Sequence, residues 1–206
     1  MRSGDHSARK PGGMGRKLAV LIVVLVLVGV LVAAYLWSSA DSGSEGFRVF
    51  RDHYLGVMSN LDSGGTKAGM VSRLGGAHNF TGLFGWEHSK LSFNEDSAGW
   101  FDDPVVILND GKGICEQFSV VYVSACLALG YQARLVVAAN TTAWSFIHVW
   151  AEVYFNGSWV HVDPSDQVWN QPLRYQSWDW GSHIGSDVRI YAFENGKVTD
   201  VTSNYS

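Results

Sequence analysis

The dipeptide Asn156-Gly157 constrains the fold of this chain more than any other feature of its sequence. It separates two runs rich in β-branched and aromatic residues, at 146–155 and at 158–163. Asn-Gly favours a type I′ turn, which connects adjacent antiparallel strands and fixes their register. The sequence therefore predicts a β-hairpin in which Phe155 faces Ser158, and every earlier pair follows from that one.

The predicted register brings a histidine and a carboxylate to one surface of the sheet. Trp150 faces Asp163, so His148 is the diagonal neighbour of Asp163 on the same face. Diagonal neighbours lie about 7–8 Å apart at Cα, which is within hydrogen-bonding reach of their side chains. Glu152 and His161 also face each other, and we interpret them as a structural pair. The opposite face is wholly apolar and is predicted to pack on the core; it comprises Ile147, Val149, Ala151, Val153 and Phe155.

The rest of the pattern predicts an α+β domain. Apolar residues recur at helical spacing over 47–61 and again from Ile114, where Gly130 is placed to end the helix. Further strands are predicted at 132–138, 188–193 and 197–202. Residues 62–103 show no sustained period and are predicted to form loops. Helices followed by consecutive antiparallel strands are typical of the α+β class.

An uncharged apolar run precedes this domain. Residues 18–37 are almost entirely Val, Leu, Ile and Ala, and a helix of that length matches the roughly 30 Å hydrocarbon core of a bilayer. Residues 1–17 carry a net charge of +4, so the positive-inside rule predicts a cytoplasmic N-terminus. We therefore expect a single-pass protein of the cell membrane, with a basic cytoplasmic tail (1–17), a transmembrane signal anchor (18–37), a flexible linker (38–46) and an outward-facing domain (47–206).

The apolar run has a second interpretation as a cleaved signal peptide. Ser38, Ser39 and Ala40 form a small-residue site at which cleavage near Ala40 is compatible with the sequence. The apolar core of a signal peptide usually spans about 7–15 residues, so the greater length of this run favours the anchor.

The chain beyond the apolar run is acidic, with ten basic and eighteen acidic residues after position 37. Its Lys and Arg residues form no cluster. Nucleic-acid binding depends on such clusters, so a nucleic-acid partner is disfavoured.

Cys115 opens the helix predicted from Ile114 and is the candidate nucleophile. Unpaired backbone N–H groups and the macrodipole at a helix N-terminus favour a thiolate, and the same N–H groups can stabilise an oxyanion. If this helix end packs over the surface that bears His148 and Asp163, the three residues form a Cys–His–Asp triad. Cys126 lies three turns further along the helix, beyond disulfide reach, and is predicted to pack in the core.

Four sequence blocks surround these residues. They are GKGICEQFS at 111–119, LGYQARLV at 129–136, HVWAEVY at 148–154 and WVHVDP at 159–164. Their order and spacing resemble the transglutaminase-like superfamily, and within it they are most similar to the catalytic core of the peptide:N-glycanases. A Pro-Leu-x-Tyr motif at 172–175 and a Trp-Gly at 180–181 strengthen this similarity. The resemblance covers about residues 100–206.

The resemblance implies a papain-like cysteine hydrolase core, in which a nucleophile helix packs on an antiparallel sheet. It implies that Cys115 is the nucleophile, His148 the general base and acid, and Asp163 the carboxylate that orients the histidine. In transglutaminases an upstream tryptophan donates its indole N–H to the oxyanion, which makes Trp100 and Trp86 the candidates here.

Two departures from the peptide:N-glycanase pattern leave glycan recognition open. The zinc-binding Cys-x-x-Cys pairs are absent, because Cys115 and Cys126 are the only cysteines in the sequence. We therefore expect neither a metal nor another cofactor. The nucleophile is followed by Glu116-Gln117-Phe118, where the glycanases have Gly-Glu-Trp.

These observations favour a membrane-anchored thiol amide hydrolase that cleaves the glycosyl-asparagine amide of glycoproteins or glycopeptides. A second hypothesis keeps the triad in a transglutaminase-like protease or a Gln/Lys acyl transferase, and the acceptor, water or amine, decides between them. A third is a catalytically idle module that binds a glycan or a peptide. The presence of Cys115, His148 and Asp163 together argues against the third. The oligomeric state stays open.

Protease treatment of intact cells tests the predicted topology. Because the basic tail should stay in the cytoplasm, external protease is expected to remove the domain and leave a membrane-bound stub of about forty residues. An antibody against the N-terminal tail detects the stub, and cells lysed before digestion serve as the control. Full protection of the domain in intact cells would contradict the outward orientation.

Overall fold

The structure of the protein is a computed structural model, and it describes residues 45–97 and 103–206. The predicted basic tail, the predicted anchor and nearly all of the linker lie outside the described residues, as does Trp100. Within those two ranges, no helix is long and apolar enough to span a bilayer. Apart from Glu45, the first residue of α1, the elements that follow belong to one unit, Gly46–Ser206.

Along the described chain, all five α-helices precede the six strands of the main sheet, which confirms the predicted α+β class. The helices are α1 (45–61), α2 (Gly64–Val71), α3 (Phe80–His88), α4 (Pro104–Asp110) and α5 (Cys115–Ala128). The strands are β1 (Ser92–Phe93), β2 (Lys112–Gly113), β3 (Ala133–Asn140), β4 (Ser145–Phe155), β5 (Ser158–Asp163), β6 (Val168–Trp169), β7 (Val188–Glu194) and β8 (Lys197–Asp200). Short 3-10 turns occupy Pro172–Ser177, Gly181–His183 and Thr202–Asn204.

Helix α5 is the centre of the fold. Six strands form an antiparallel sheet in the order β6-β5-β4-β3-β7-β8. Helix α5 packs on β3 and β4, and α2, α3 and α4 pack around it. Residues 116–126 of α5 are all buried, whereas the sequence predicted a single apolar stripe. The helix is buried on all sides because the sheet and three helices surround it, and it carries Cys115 at its first position.

The central hairpin has the predicted register. Phe155 pairs with Ser158, and Glu152 pairs with His161. Asn156 and Gly157 have φ values of 51° and 85°, and a type I′ turn requires positive φ at both positions. The strands predicted at 188–193 and 197–202 also form a hairpin, in which Asn195-Gly196 joins β7 to β8.

Ile147 does not lie on the face that the alternation predicted. Ala138 of β3 pairs with His148 and Ala139 pairs with Phe146, so Ile147 is an extra residue that forms a β-bulge in β4. A bulge shifts the alternation of side chains beyond it. Ile147 consequently packs with Trp150 on the face of the sheet that bears His148, called here the histidine face. It does not pack with Val149 on the opposite face.

Both faces of the sheet are buried. Val149, Ala151 and Val153 pack against α5, as predicted for the apolar face. The histidine face is covered as well, by a second apolar cluster that contains Trp150, Tyr175, Val201 and Tyr205. The cover comes from the chain after β5, including the 3-10 turn Pro172–Ser177. As a result, the polar side chains on this face lie in a low-dielectric layer.

Residues 62–103 were predicted as loops, and this prediction is wrong for the segments that form α2 and α3. Ser63 begins α2, where its hydroxyl accepts the N–H of Thr66 at 3.2 Å. Asn79 begins α3 by accepting the N–H of Gly82 at 2.7 Å. The glycines in these helices lower their intrinsic propensity, so capping and burial of Met70 and Leu83 stabilise them instead.

Helix α3 places a carboxyl group in the core. Glu87 is 0% exposed, and neither of its carboxyl oxygens has a hydrogen-bond partner among the described residues. Burial raises the pKa of Glu87 well above its ordinary value, because an unpaired carboxylate is costly away from water. The folded protein therefore holds this group in its neutral form well above the pH at which an exposed glutamate ionises.

Replacing Glu87 with methionine should stabilise the protein, and the gain should grow with pH. Removing an unsatisfied buried polar group is expected to contribute about 1–3 kcal/mol. Above pH 4.5, the ordinary pKa of the side chain, the unfolded wild-type chain releases a proton that the folded chain keeps. Wild-type stability then falls by up to about 1.4 kcal/mol per pH unit until the folded pKa is reached.

Urea unfolding of the full chain from pH 4 to pH 8 measures this difference. Glu95→Met, at an exposed glutamate, is the matched control and should show no gain that depends on pH. A Glu87→Met protein that is less stable than the wild type at pH 8 would contradict the prediction.

Candidate active site

The backbone around Cys115 leaves the first turn of α5 open to an anion. Cys115 is the first helical residue, and the N-cap residue Ile114 has no side-chain acceptor for the helix N–H groups. The Oε1 atom of Gln117 instead accepts the N–H of Ile114 at 3.0 Å. Gly113 permits this turn, since a Cβ there would lie 2.5 Å from Cβ of Gln117. The N–H groups of Cys115 and Glu116 therefore receive no cap from the Ile114 side chain.

His148 lies between Asp163 and Cys115. Its Nε2 is 2.7 Å from Oδ2 of Asp163, and the Cys115 side chain is near enough to the ring to raise the pKa of His148. Nδ1 is the ring nitrogen that remains for Cys115. The β-bulge at Ile147 directly precedes His148, and such bulges re-aim neighbouring side chains.

The two partners of His148 favour its protonated form. Burial lowers the pKa of His148, but its interactions with Asp163 and with Cys115 outweigh that effect and raise the pKa to about 9. An imidazolium at neutral pH is the partner that a thiolate needs.

The carboxylate of Asp163 is fully buried and fully hydrogen-bonded. Oδ2 accepts hydrogen bonds from His148 and from the Tyr175 hydroxyl, at 2.7 and 2.9 Å. Oδ1 accepts from the Ser165 hydroxyl and the Asp166 N–H, at 2.9 and 3.2 Å. Burial alone would raise the pKa of Asp163, but His148 and these donors lower it below its ordinary value. Asp163 is thus an ionised, fixed acceptor for His148.

Trp178 covers the histidine. Its ring centroid is 4.9 Å from that of His148, and the side chains of His148 and Asp163 are 8% and 0% exposed. The hydrogen bond between them is therefore shielded from water, which strengthens it.

Tyr175 is a site residue that the sequence does not reveal. In the sequence it is only the last residue of the Pro-Leu-x-Tyr motif at 172–175. Nothing in the local pattern points to its contact with Asp163, because that contact depends on how the 3-10 turn packs over the sheet. A buried tyrosine among apolar neighbours needs a partner for its hydroxyl, and this was the only available signal.

Glu152 and His161 are Cα partners as predicted, but their side chains do not form the expected pair. The Nε2 of His161 lies 2.8 Å from the hydroxyl of Tyr175. The carboxylate of Glu152 instead binds Arg134 at 2.6 Å and the hydroxyl of Tyr205.

The oxyanion donor is still a prediction. Trp86 lies on α3, and its indole N–H donates to the carbonyl of Arg73 at 3.2 Å. An indole has a single donor, so in this arrangement Trp86 has no second N–H to offer. Trp100 is outside the described residues.

No group of three or more His, Cys, Asp and Glu side chains is arranged to hold a metal ion in residues 45–97 and 103–206.

Comparison with known proteins confirms the resemblance drawn from the four blocks. Residues 79–164 match the family model of the transglutaminase-like superfamily. Over 108 residues, the chain is 36% identical to a peptide-N(4)-(N-acetyl-beta-glucosaminyl)asparagine amidase of Drosophila melanogaster. This match covers 52% of this chain and 16% of the Drosophila protein. The corresponding amidase of Gallus gallus is 32% identical over 108 residues, with 52% of this chain and 15% of the other covered. The shared region is thus about half of this chain and about one sixth of these relatives.

A solved structure supports the fold alone. One chain of the Rad4–Rad23 complex crosslinked to an undamaged DNA superposes with a TM-score of 0.54 at 12% identity. The match covers 98% of this chain and 51% of that chain.

Iodoacetamide should label Cys115 and spare Cys126 in the folded protein. Cys115 is partly exposed and lies beside a histidine whose pKa is raised to about 9. Cys126 is buried, and burial raises the pKa of its thiol well above the ordinary value. We expect alkylation of Cys115 at pH 7 to be on the order of 10²-fold faster. Peptide mass mapping after a short exposure measures both rates, with a sample in urea as the control. Equal labelling in the folded protein would contradict the triad.

Proposed function

We propose that the protein is a thiol amide hydrolase that cleaves the glycosyl-asparagine amide of glycoproteins or glycopeptides, with Cys115, His148 and Asp163 as its catalytic residues. The observation that carries the proposal is the buried hydrogen bond between His148 and Asp163, with the Cys115 side chain beside the imidazole. The sequence similarity to peptide-N(4)-(N-acetyl-beta-glucosaminyl)asparagine amidases over this region supports the choice of substrate.

The acylation step follows from the positions of the three groups. The Sγ thiolate of Cys115 attacks the side-chain amide carbon of the glycosylated asparagine and forms a C–S bond. Negative charge develops on the carbonyl oxygen, where the N–H groups of the first turn of α5 can donate to it. The C–N bond then breaks as Nδ1–H of His148 passes its proton to the leaving glycosylamine nitrogen.

Hydrolysis of the thioester reverses these roles. Neutral His148 takes a proton from water, the hydroxide attacks the acyl carbon, and the C–S bond breaks to release aspartate and restore the thiolate. Asp163 holds the Nε2–H of His148 throughout, so the ring keeps its orientation and Nδ1 remains the nitrogen that exchanges the proton.

The departure from the glycanase pattern at Glu116 is accommodated away from the nucleophile. The Glu116 carboxylate accepts the hydroxyl of Tyr54 on α1 at 2.9 Å and lies 3.7 Å from Nε2 of His53. The extra side chain is therefore directed to α1, and this is compatible with an amide substrate at Cys115.

The proposal includes the membrane anchor and the outward orientation of the domain. Both depend on the apolar run at 18–37 and on the basic segment that precedes it. A glycoprotein substrate is consistent with that location.

Incubation of the full chain with a defined glycopeptide and with the same peptide lacking its glycan tests the proposal. Mass spectrometry should find free glycan and a peptide with aspartate at the former glycosylated position, and Cys115→Ala should abolish both. Cys126→Ala, which alters the buried cysteine, is the matched control and should retain turnover. Because the pKa of His148 is about 9 and the active form carries its proton, kcat/KM should fall as pH rises through that value.

Other products would replace the proposal with one of its rivals. Cleavage of the peptide backbone would identify a protease, and incorporation of an added alkylamine into glutamine would identify an acyl transferase. Binding of the glycopeptide without turnover, unchanged in Cys115→Ala, would identify a binding module.

A further inference from the structure

The carboxylate of Asp163 is the end of a buried series of hydrogen bonds whose proton positions can be assigned. The N–H of Gln171 reaches Nδ1 of His161 at 3.4 Å. Nε2 of His161 lies 2.8 Å from the Tyr175 hydroxyl, and that hydroxyl lies 2.9 Å from Oδ2 of Asp163.

Each hydrogen bond of the series has only one possible donor. An ionised carboxylate only accepts, so Tyr175 donates its single proton to Asp163. The tyrosine oxygen must then accept from Nε2–H of His161. The other nitrogen of His161, Nδ1, is left to accept from the Gln171 backbone. His161 is consequently a neutral imidazole with its proton on Nε2.

The electrostatics of His161 agree with this assignment. Burial lowers the pKa of His161 to about 4. The charged groups that act on it are Asp163, which raises the pKa, and Arg174 and His148, which lower it. His161 therefore stays neutral where His148 is protonated.

The series is rigid. Tyr175 and Asp163 are 0% exposed and His161 is 2% exposed. The Tyr175 ring packs at 4.6 Å from Trp150 and at 5.5 Å from Trp180, measured between centroids. Rotation of the tyrosine would require repacking of this aromatic layer.

We propose that Tyr175 is a positioning residue that, held by His161, keeps Oδ2 of Asp163 directed at Nε2 of His148. Oδ2 accepts from Tyr175 and His148 together, so rotation of the carboxylate away from His148 would break the tyrosine bond as well. This role rests on the proposed function only because it requires Cys115 and His148 to act as a pair. It does not depend on the identity of the substrate.

Tyr175→Phe removes the hydroxyl and keeps the ring. Asp163 then has three donors in place of four, and its Oδ2 can turn away from Nε2 of His148. A carboxylate that is less well aligned stabilises the imidazolium less, so we expect the acid limb of the pH profile of Cys115 alkylation to move up by about half a unit to one unit. Turnover of the glycopeptide should fall about tenfold, with KM unchanged.

Tyr205→Phe is the matched control. Tyr205 is also 0% exposed, in the same aromatic layer, and its hydroxyl donates to Glu152 and accepts from Nε1 of Trp150. It is expected to lower the melting temperature as much as Tyr175→Phe does, and to leave the alkylation profile and kcat unchanged.

A double-mutant cycle with Asp163→Asn separates positioning from general stabilisation. Asp163→Asn alone should lower turnover on the order of 10²-fold. If Tyr175 acts through Asp163, adding Tyr175→Phe to Asp163→Asn should change the alkylation rate less than about twofold. Additive effects, or an alkylation profile in Tyr175→Phe that matches the wild type, would overturn the proposal.

The wild-type protein provides a test that does not depend on the variants. Long-range proton–nitrogen NMR correlations should find His161 neutral with its proton on Nε2 from pH 5.5 to 8. A proton on Nδ1, or a charged ring at pH 7, would overturn the series. The alkylation and NMR readouts need no substrate, so a protein that cleaves no glycopeptide but gives both expected results would fail the proposed function and keep the positioning role.

Discussion

The buried negative charge of Asp163 is the constraint on which the rest of the site depends. A carboxylate removed from water is tolerated only when hydrogen bonds and an opposite charge replace the lost hydration. Four donors meet this requirement, and they come from β4, from the turn after β5 and from the 3-10 turn at Pro172–Ser177. The chain after β5 therefore excludes water from the histidine face. It also supplies donors that replace the lost hydration of the buried carboxylate.

Much of this arrangement could be predicted from the sequence because it rests on local rules. The Asn156-Gly157 turn sets the register of the hairpin, and the register sets which residues face each other. The glycine after α5 and the spacing of apolar residues locate the nucleophile helix. A histidine and an aspartate on one surface, with a cysteine at a helix start, follow from these features.

The parts that sequence reasoning missed depend on tertiary packing. Nothing in the alternation of β4 predicts the bulge at Ile147, because the bulge is a property of its pairing with β3. Helices α2 and α3 are glycine-containing and short, so their stability comes from caps and burial and not from a period. Tyr175 is twelve residues from Asp163 along the chain, and only the folding of the 3-10 turn over the sheet brings the two together.

A second buried carboxylate on the same face shows why His148 holds its proton. Glu152 also accepts a tyrosine hydroxyl, from Tyr205, but its charge is balanced by the guanidinium of Arg134 at 2.6 Å. Among the described residues, the only cationic group hydrogen-bonded to Asp163 is the His148 ring; its other three donors are neutral. An arginine beside Asp163 would neutralise the carboxylate and remove the reason for His148 to carry a charge. Because the neutral donors leave the negative charge of Asp163 in place, that charge stabilises the imidazolium of His148. The imidazolium can in turn stabilise the Cys115 thiolate.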